Sequence, residues 1–220
     1  MPTSAPSAVS HVVWDWNGTL LDDFELTARI ATGSLAELGY PGLTRQDIRK
    51  HFRRPYTAFY SSLLGRPVSD DELARIREAY EVGYRAHMYT ASLRPDAESS
   101  LARVGGHATQ SLLSLAPDRQ LQALVDHHAI RHRFVLIEGS HTGSDGSKAG
   151  RLRTHLEAIG AEPARTVVIG DTVDDQEAAA ACGTRVILVT GGNQSRPPLE
   201  ATGEAVVDTL REVTGLVEVM

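Results

Sequence analysis

Five short β-rich runs recur along the chain: HVVWDW from His11, ATQSLLS from Ala108, FVLIEG from Phe134, TVVIGD from Thr166 and RVILVTGG from Arg185. Each adjoins a stretch of helical character, and that alternation selects an α/β architecture with a mostly parallel sheet. Such sheets take ligands beyond the carboxyl ends of their strands. Asp15, Ser114, Gly139 and Asp171 stand at or just past those ends, so the topology is expected to bring them to one edge.

The texture changes between residues 22 and 93, where helical periodicity replaces strand patterning. A helix is expected from about Glu25 to Leu38, ended by Gly39 and the turn Tyr40-Pro41-Gly42. Ser69-Asp70-Asp71-Glu72 has the form of a capping box, with Leu73, Ile76, Tyr80, Tyr84, His87 and Met88 following at helical spacing. The expected organisation is a disordered tail over 1–10, a core built from 11–21 and 94–220, and a helical insert over 22–93. A final strand over Ala205–Val207 and a terminal helix close the core.

Composition narrows the function classes. A formal net charge of −6, with no basic tract, argues against a nucleic-acid partner. No apolar run approaches the ~18 residues of a membrane span, and the first ten residues lack the basic start and apolar stretch of a signal peptide. The single cysteine, Cys182, cannot pair within the chain, which favours a reducing compartment and a cytoplasmic location. Nothing in the sequence marks an oligomeric interface. Lys50 and Lys148 are the only lysines.

The chemistry is expected at the strand tips. In VVIGDTVDDQEAAAACG an apolar strand delivers Asp171 beside Asp174 and Asp175. Crowded carboxylates raise a pKa or recruit a cation, and hard oxygen ligands suit Mg²⁺. Asp174 or Asp175 can instead serve simply as a helix cap. Lys148 opens a helix after a Gly-Ser loop, a position that suits an anion, and Ser114 can add a hydroxyl to the same site. His127, His128 and His132 form no convincing metal pattern and fit a solvated face.

Taken together, Asp15-x-Asn17-Gly18-Thr19, Ser114, Lys148 and Gly170-Asp171-x-x-x-Asp175 resemble the haloacid dehalogenase superfamily over about residues 11–210, in its phosphoglycolate phosphatase-like branch. The resemblance implies a doubly wound, Rossmann-like sheet with an inserted helical cap domain, and a phosphatase that acts on a small phosphorylated, phosphoglycolate-like substrate. By that likeness Asp15 is the nucleophile and forms an aspartyl-phosphate. Mg²⁺ is held by Asp15, the Asn17 carbonyl, Asp171 and Asp175, and the phosphate by Gly18, Ser114 and Lys148. The segment HFRRPYTAFY places Arg53 and Arg54 in the cap, where either could meet a substrate carboxylate or stay solvated. Asp22 and Asp23, where the chain leaves the core, either line the cleft or mark a hinge.

One letter departs from the family. Position 17 usually carries the aspartate that protonates the leaving oxygen and then activates water, and asparagine cannot exchange a proton in this way. Four readings are open. The first is a phosphatase whose leaving group needs little acid help. The second is a catalytically weak protein that binds or senses a phospho-ligand. The third is a phosphonatase-like enzyme using a Schiff base at Lys50. In the fourth, deamidation at Asn17-Gly18 restores a carboxylate.

Overall fold

The computed structural model describes residues 8–141 and 147–220. The chain opens with β1 (His11–Trp14) and β2 (Leu21–Asp22), then runs through four helices, α1 (Phe24–Glu37), α2 (Arg45–His51), α3 (Tyr56–Leu64) and α4 (Asp70–His87). It returns through β3 (Ser92–Leu93) to α5 (Ala97–Val104), β4 (Thr109–Pro117), α6 (Asp118–His127) and β5 (Ile137–Ser140). The last part comprises α7 (Lys148–Ile159), β6 (Thr166–Gly170), α8 (Val173–Cys182), β7 (Arg185–Val189), α9 (Arg196–Glu200), β8 (Ala205–Val207) and α10 (Leu210–Val219).

Six strands make one parallel sheet in the order β5-β4-β1-β6-β7-β8. The order reverses direction around β1, the arrangement of a doubly wound α/β sheet. Alternate side chains feed two layers. Val12, Trp14, Leu112, Ile169 and Ile187 join Leu101, Leu121 and Val213 from α5, α6 and α10. Val13, Leu113, Val168 and Leu188 join Leu152, Ala178 and Leu199 from α7, α8 and α9. Both faces are therefore apolar, which is why the strands read as continuous hydrophobic runs rather than alternating ones.

A polar chain with a buried centre of His11, Ser111 and His155 runs through the second layer. His11 contacts the Thr109 hydroxyl at 2.7 Å and the Ser111 hydroxyl at 2.8 Å, and Ser111 also meets His155 at 2.7 Å. The other ring nitrogen of His155 meets Glu138. Burial pushes the His11 pKa down to about 4, helped by the neighbouring His155, and burial likewise lowers that of His155. No described cavity reaches Ser111, which is fully buried, so this serine–histidine–glutamate series ties strands together.

The four helices α1–α4 have their own core, with Phe24, Ala28, Leu35, Ile48, Phe59, Tyr60, Leu63 and Ile76 packed together. At its two ends β2 and β3 pair antiparallel, Leu21 with Leu93 and Asp22 with Ser92. The sequence shows no strand there because two residues are too few to display a period.

Two sequence expectations need correction. Ser69 does cap α4, accepting from the Glu72 amide at 3.3 Å, but Glu72 does not reach back to complete a capping box. Its carboxylate is taken by Arg66 (2.6 and 3.0 Å) and the Tyr40 hydroxyl. A bidentate guanidinium outcompetes a single backbone amide. Order also begins before residue 11: the Ser10 amide donates to the Arg165 carbonyl at 2.9 Å and Val9 is buried. The rest of the expected tail, residues 1–7, lies outside the described residues, as do residues 142–146 of the Gly-Ser loop before Lys148.

Candidate active site

Asp15 directly follows β1, and its amide still bonds the Ile169 carbonyl of the neighbouring strand at 2.8 Å. The chain then turns sharply. Amides of Thr19, Leu20 and Leu21 all fold back on the Trp16 carbonyl, at 3.2, 3.0 and 2.9 Å. Gly18 sits in this turn at φ +75°, and a Cβ there would overlap the Asp171 carboxylate, so both conformation and space demand glycine.

Lys148, at the first turn of α7, reaches into the same pocket. Its Nζ lies 2.6 Å from Asp15 Oδ1 and also contacts Asp175 Oδ1. That oxygen of Asp175 forms no hydrogen bond of good geometry, so the lysine holds it as an ion pair only. Asp175 Oδ2 accepts the Thr172 amide (3.0 Å) and hydroxyl (2.7 Å), which caps α8. The cap weighed from sequence thus falls on Asp175, through a capping box with the N-cap residue Thr172, and the same side chain meets Lys148.

Asp171, at the end of β6, faces Asn193 from the loop after β7. The Asn193 amide donates to Asp171 Oδ2 at 2.5 Å and its side chain at 3.1 Å. The same side-chain nitrogen lies 3.4 Å from the Asn17 carbonyl, which brings that carbonyl beside Asp171. Gly192 is required here as well, since a Cβ would run into the Asp171 carboxylate.

Asp15, Asp171, Asp175 and Lys148 are all buried. Burial raises the Asp15 and Asp171 pKa values, and neighbouring carboxylates push them further. Burial alone would lower that of Lys148, but Asp15 and Asp175 more than offset it and keep the ammonium charged. Two carboxylates thus share one buried ammonium with a third, Asp171, close by, a hard, net-negative oxygen set that suits a divalent cation. Among the described residues no three acidic, histidine or cysteine side chains are gathered as a ready-made cluster. Lys148 fills the gap between Asp15 and Asp175, and Asp171 is turned to Asn193.

Ser114 is buried on β4 with its hydroxyl accepting the Ala116 amide at 3.1 Å. The two arginines part company. Arg53 is exposed and donates to the His51 carbonyl at 3.3 Å. Arg54 lies 4.6 Å over the Tyr56 ring and 3.7 Å from Asp174. Burial opposes the Arg54 charge, while Tyr56, Asp174 and Asp15 favour it and raise its pKa. Lys50 is exposed on α2 and does not line the cavity described below. His127 and His128 meet edge to face at 5.0 Å, and His128 lies 6.2 Å from the Trp16 ring.

Sequence reasoning missed Asn193 and Arg94, named Thr19 only as part of the first motif, and left Asp23 between cleft and hinge. Asn193 follows the Gly191-Gly192 pair, a turn signal that could have flagged it. Arg94 donates to the Gly18 carbonyl at 3.0 Å and to the Thr190 carbonyl at 2.5 Å, joining the loops after β1 and β7. Thr19 reaches Asp171 at 3.4 Å. Asp23 is buried and accepts from the Asn17 side chain at 2.6 Å and the Gly18 amide at 3.0 Å. Burial raises its pKa to about 6 despite those donors.

Above this edge lies a cavity of about 350 Å³, floored by Asn17 and Asn193 and walled by α3, α4 and the segment before α3.

The chain matches the family model of haloacid dehalogenase-like hydrolases over residues 12–180, and a second model, HAD-hydrolase-like, over 148–213. It belongs to the haloacid dehalogenase-like hydrolases. It is 26% identical to a phosphoglycolate phosphatase of Nitrosospira multiformis over 97% of each chain. It is 25% identical to the probable phosphatase IndB of Dickeya dadantii, covering 93% of this chain and 91% of that one. Among solved structures, a predicted phosphatase from Clostridium acetobutylicum superposes with a TM-score of 0.87 at 19% identity, covering 97% of this chain and all of the other.

Proposed function

We propose that this protein is a Mg²⁺-dependent phosphoric monoester hydrolase in which Asp15 attacks phosphorus and is transiently phosphorylated. The observation that carries the reading is the Lys148 ammonium 2.6 Å from Asp15 and in contact with Asp175, in a buried pocket that Asp171 completes. The phosphatase names of the relatives over nearly the whole chain support it.

Each residue has a part in this scheme. Asp15 supplies the nucleophilic oxygen, and Lys148 orients it and offers charge to a phosphoryl oxygen. In this scheme the Ser114 hydroxyl, which accepts the Ala116 amide and keeps its own hydrogen, donates to a remaining phosphoryl oxygen, and Gly18, whose amide is engaged by Leu21 and Asp23, supplies the tight turn beside it. Asp15, the Asn17 carbonyl, Asp171 and Asp175 would hold Mg²⁺, and their hard oxygen set fits it. The ion, when bound, supplies the positive charge that lets a carboxylate meet a phosphate dianion. The helical segment 22–93 acts as a cap over the site, with Arg54 its contribution to substrate charge.

A second reading retains a specific observation. Asn17 brings no acid, so a phospho-ligand sensor with slow turnover shares the same pocket. C–P bond cleavage through Lys50 has no such support, since that lysine is exposed away from the cavity. The test is Mg²⁺-dependent phosphate release over a panel of phosphomonoesters, with Asp15→Asn as control and acid-quenched mass spectrometry of Asp15. Turnover abolished by Asp15→Asn, with a phosphorylated Asp15 peptide from the native protein, is the expected result. A stable phospho-Asp15 or tight ligand binding without release selects the sensor.

A further inference from the structure

We propose that the substrate's leaving group is an aromatic hydroxyl, so that the enzyme cleaves aryl phosphates with room for about two fused rings; this rests on the phosphatase reading above. Two independent observations meet in it, one from the cavity and one from the loop that bears Asp15.

The cavity is built for rings. Phe52, Tyr56, Phe59, Tyr60, Tyr80 and Tyr84 all line it. Phe59 and Tyr60 meet at 4.7 Å, and Tyr80 and Tyr84 stack at 5.8 Å with planes 16° apart, so rigid faces are already set against one another. Aromatic faces favour flat, polarisable partners in offset or edge contact. The volume of about 350 Å³ excludes a close fit for a glycolate-sized group. A liquid water occupies ~30 Å³ and a cavity of ~150 Å³ accepts benzene, so a five-atom hydroxy acid would leave most of this space unfilled. The cavity adjoins the reaction site, since Asn17, Asn193 and Arg54 line it and the Arg54 charge acts on Asp15.

The loop lacks a proton donor for the leaving oxygen. Asn17 has none to give as an acid, and its amide is spent on Asp23 and the Tyr84 hydroxyl. Asp23 is 1% exposed, and both its oxygens accept hydrogen bonds, from Asn17 and from the Gly18 amide. An alkoxide expelled here would leave with the basicity of an ordinary alcohol's anion, close to that of hydroxide and far above that of a phenolate. A phenol ionises near pH 10, like tyrosine, so its oxygen departs as a stable anion without acid help. The pocket that selects rings and the loop that requires a good leaving group specify the same substrate.

The step balances without a further reactant. An Asp15 oxygen bonds to phosphorus as the P–O(aryl) bond breaks. The electron pair leaves on the phenolate, which takes a proton from solvent. Water then attacks the phosphoryl group as the P–O(Asp15) bond breaks and its electron pair returns to the carboxylate; one proton of that water goes to solvent, replacing the one the phenolate took, and the other stays on the hydrogen phosphate.

The test uses the full-length native protein with Mg²⁺ and four substrates: 1-naphthyl, phenyl and benzyl phosphate, and phosphoglycolate. Benzyl phosphate keeps the ring but leaves as an alkoxide. Expected kcat/KM falls from naphthyl to phenyl, then by about a hundredfold or more to benzyl phosphate and phosphoglycolate, the scale of a missing general acid. Asn17→Asp should raise benzyl phosphate turnover at least tenfold and naphthyl little. Tyr56→Ala, at a half-buried position, should raise KM for naphthyl phosphate, with Tyr56→Phe restoring it. The inference is overturned if native protein hydrolyses phosphoglycolate or benzyl phosphate as well as naphthyl phosphate, or if Tyr56→Ala leaves naphthyl KM unchanged. In either case Asp15-dependent turnover leaves the phosphatase reading intact. Absence of turnover and of Asp15 phosphorylation with all four overturns both.

Discussion

The Asn17 side-chain amide donates to Asp23 at 2.6 Å, and the same carboxylate accepts the Gly18 amide at 3.0 Å. The residue that departs from the family pattern is thus matched by a carboxylate six positions on, and neither is free to vary alone. Asn17→Asp would set two carboxylates face to face at hydrogen-bond distance in a buried site. One of them must then hold a proton or the loop must open. The expected cost is about 1–3 kcal/mol at neutral pH, and Asn17→Asp/Asp23→Ser should recover at least half of it. Urea melts arranged as a double-mutant cycle measure the coupling. Additive effects would mean the pair is not coupled.

Asn-Gly invites deamidation because the glycine nitrogen can attack the side-chain carbonyl. Here that nitrogen is engaged by both Leu21 and Asp23, and the side chain is held by Asp23 and Tyr84. The folded protein should keep Asn17 intact through prolonged incubation at pH 8, while Asp23→Ala accelerates its loss. Peptide mapping reads both. Conversion in the native fold at the rate of the urea-unfolded chain would contradict this.

Lys148 neutralises two carboxylates that burial has stripped of water. Lys148→Met leaves them unpaired, an outcome that typically costs about 3–5 kcal/mol. Part of that loss should return in the double variant Lys148→Met/Asp15→Asn, which removes one of the stranded charges. Chemical denaturation with and without 10 mM Mg²⁺ should further show the metal raising the native midpoint by preferential binding to the folded state, and failing to do so in Asp171→Asn.

The His11 pKa of about 4 predicts a distinct pH dependence. Unfolded, the ring would protonate near pH 6.5, so between pH 6.5 and 4 the unfolded chain binds more protons than the folded one. Its contribution to stability is full above pH 6.5 and falls as pH drops toward 4, by up to about 1.4 kcal/mol per pH unit. His11→Gln should be less stable at pH 7 yet show a flatter decline over that window. The buried Asp23 works oppositely: its raised pKa makes its ionisation destabilising as pH climbs through about 6. Comparing His11→Gln with Asp23→Asn by urea melts at pH 5 and 7 separates them. Parallel native and His11→Gln profiles would exclude the first assignment.

Much of the site could be read before the fold was seen, because a strand tip bearing an acid is a local pattern. Asp15, Asp171, Asp175 and Lys148 announce themselves through the runs that precede or follow them. Arg94 and Asn193 do not, since each acts through a contact with a loop distant in sequence, and Asp23 is left between cleft and hinge because its partners are hidden inside a turn. Arg94 reads as the start of an Arg-Pro turn, and only the meeting of the loops after β1 and β7 gives it a role. Arg53 and Arg54 could not be told apart because they lie outside a helix, where no period assigns a face. The Glu72 side chain went elsewhere because tertiary partners overrode a local motif.

Asp175 and Asn17 illustrate two opposite kinds of evolutionary freedom. One oxygen of Asp175 anchors the start of α8 and the other faces Lys148, so a change there damages folding and charge balance at once. Drift at that position is punished twice and should be rare in any functioning descendant. Position 17 carries no strand and caps no helix, and its partner Asp23 is close enough in sequence to change with it. The two positions can therefore change together by substitutions six residues apart, with the scaffold untouched.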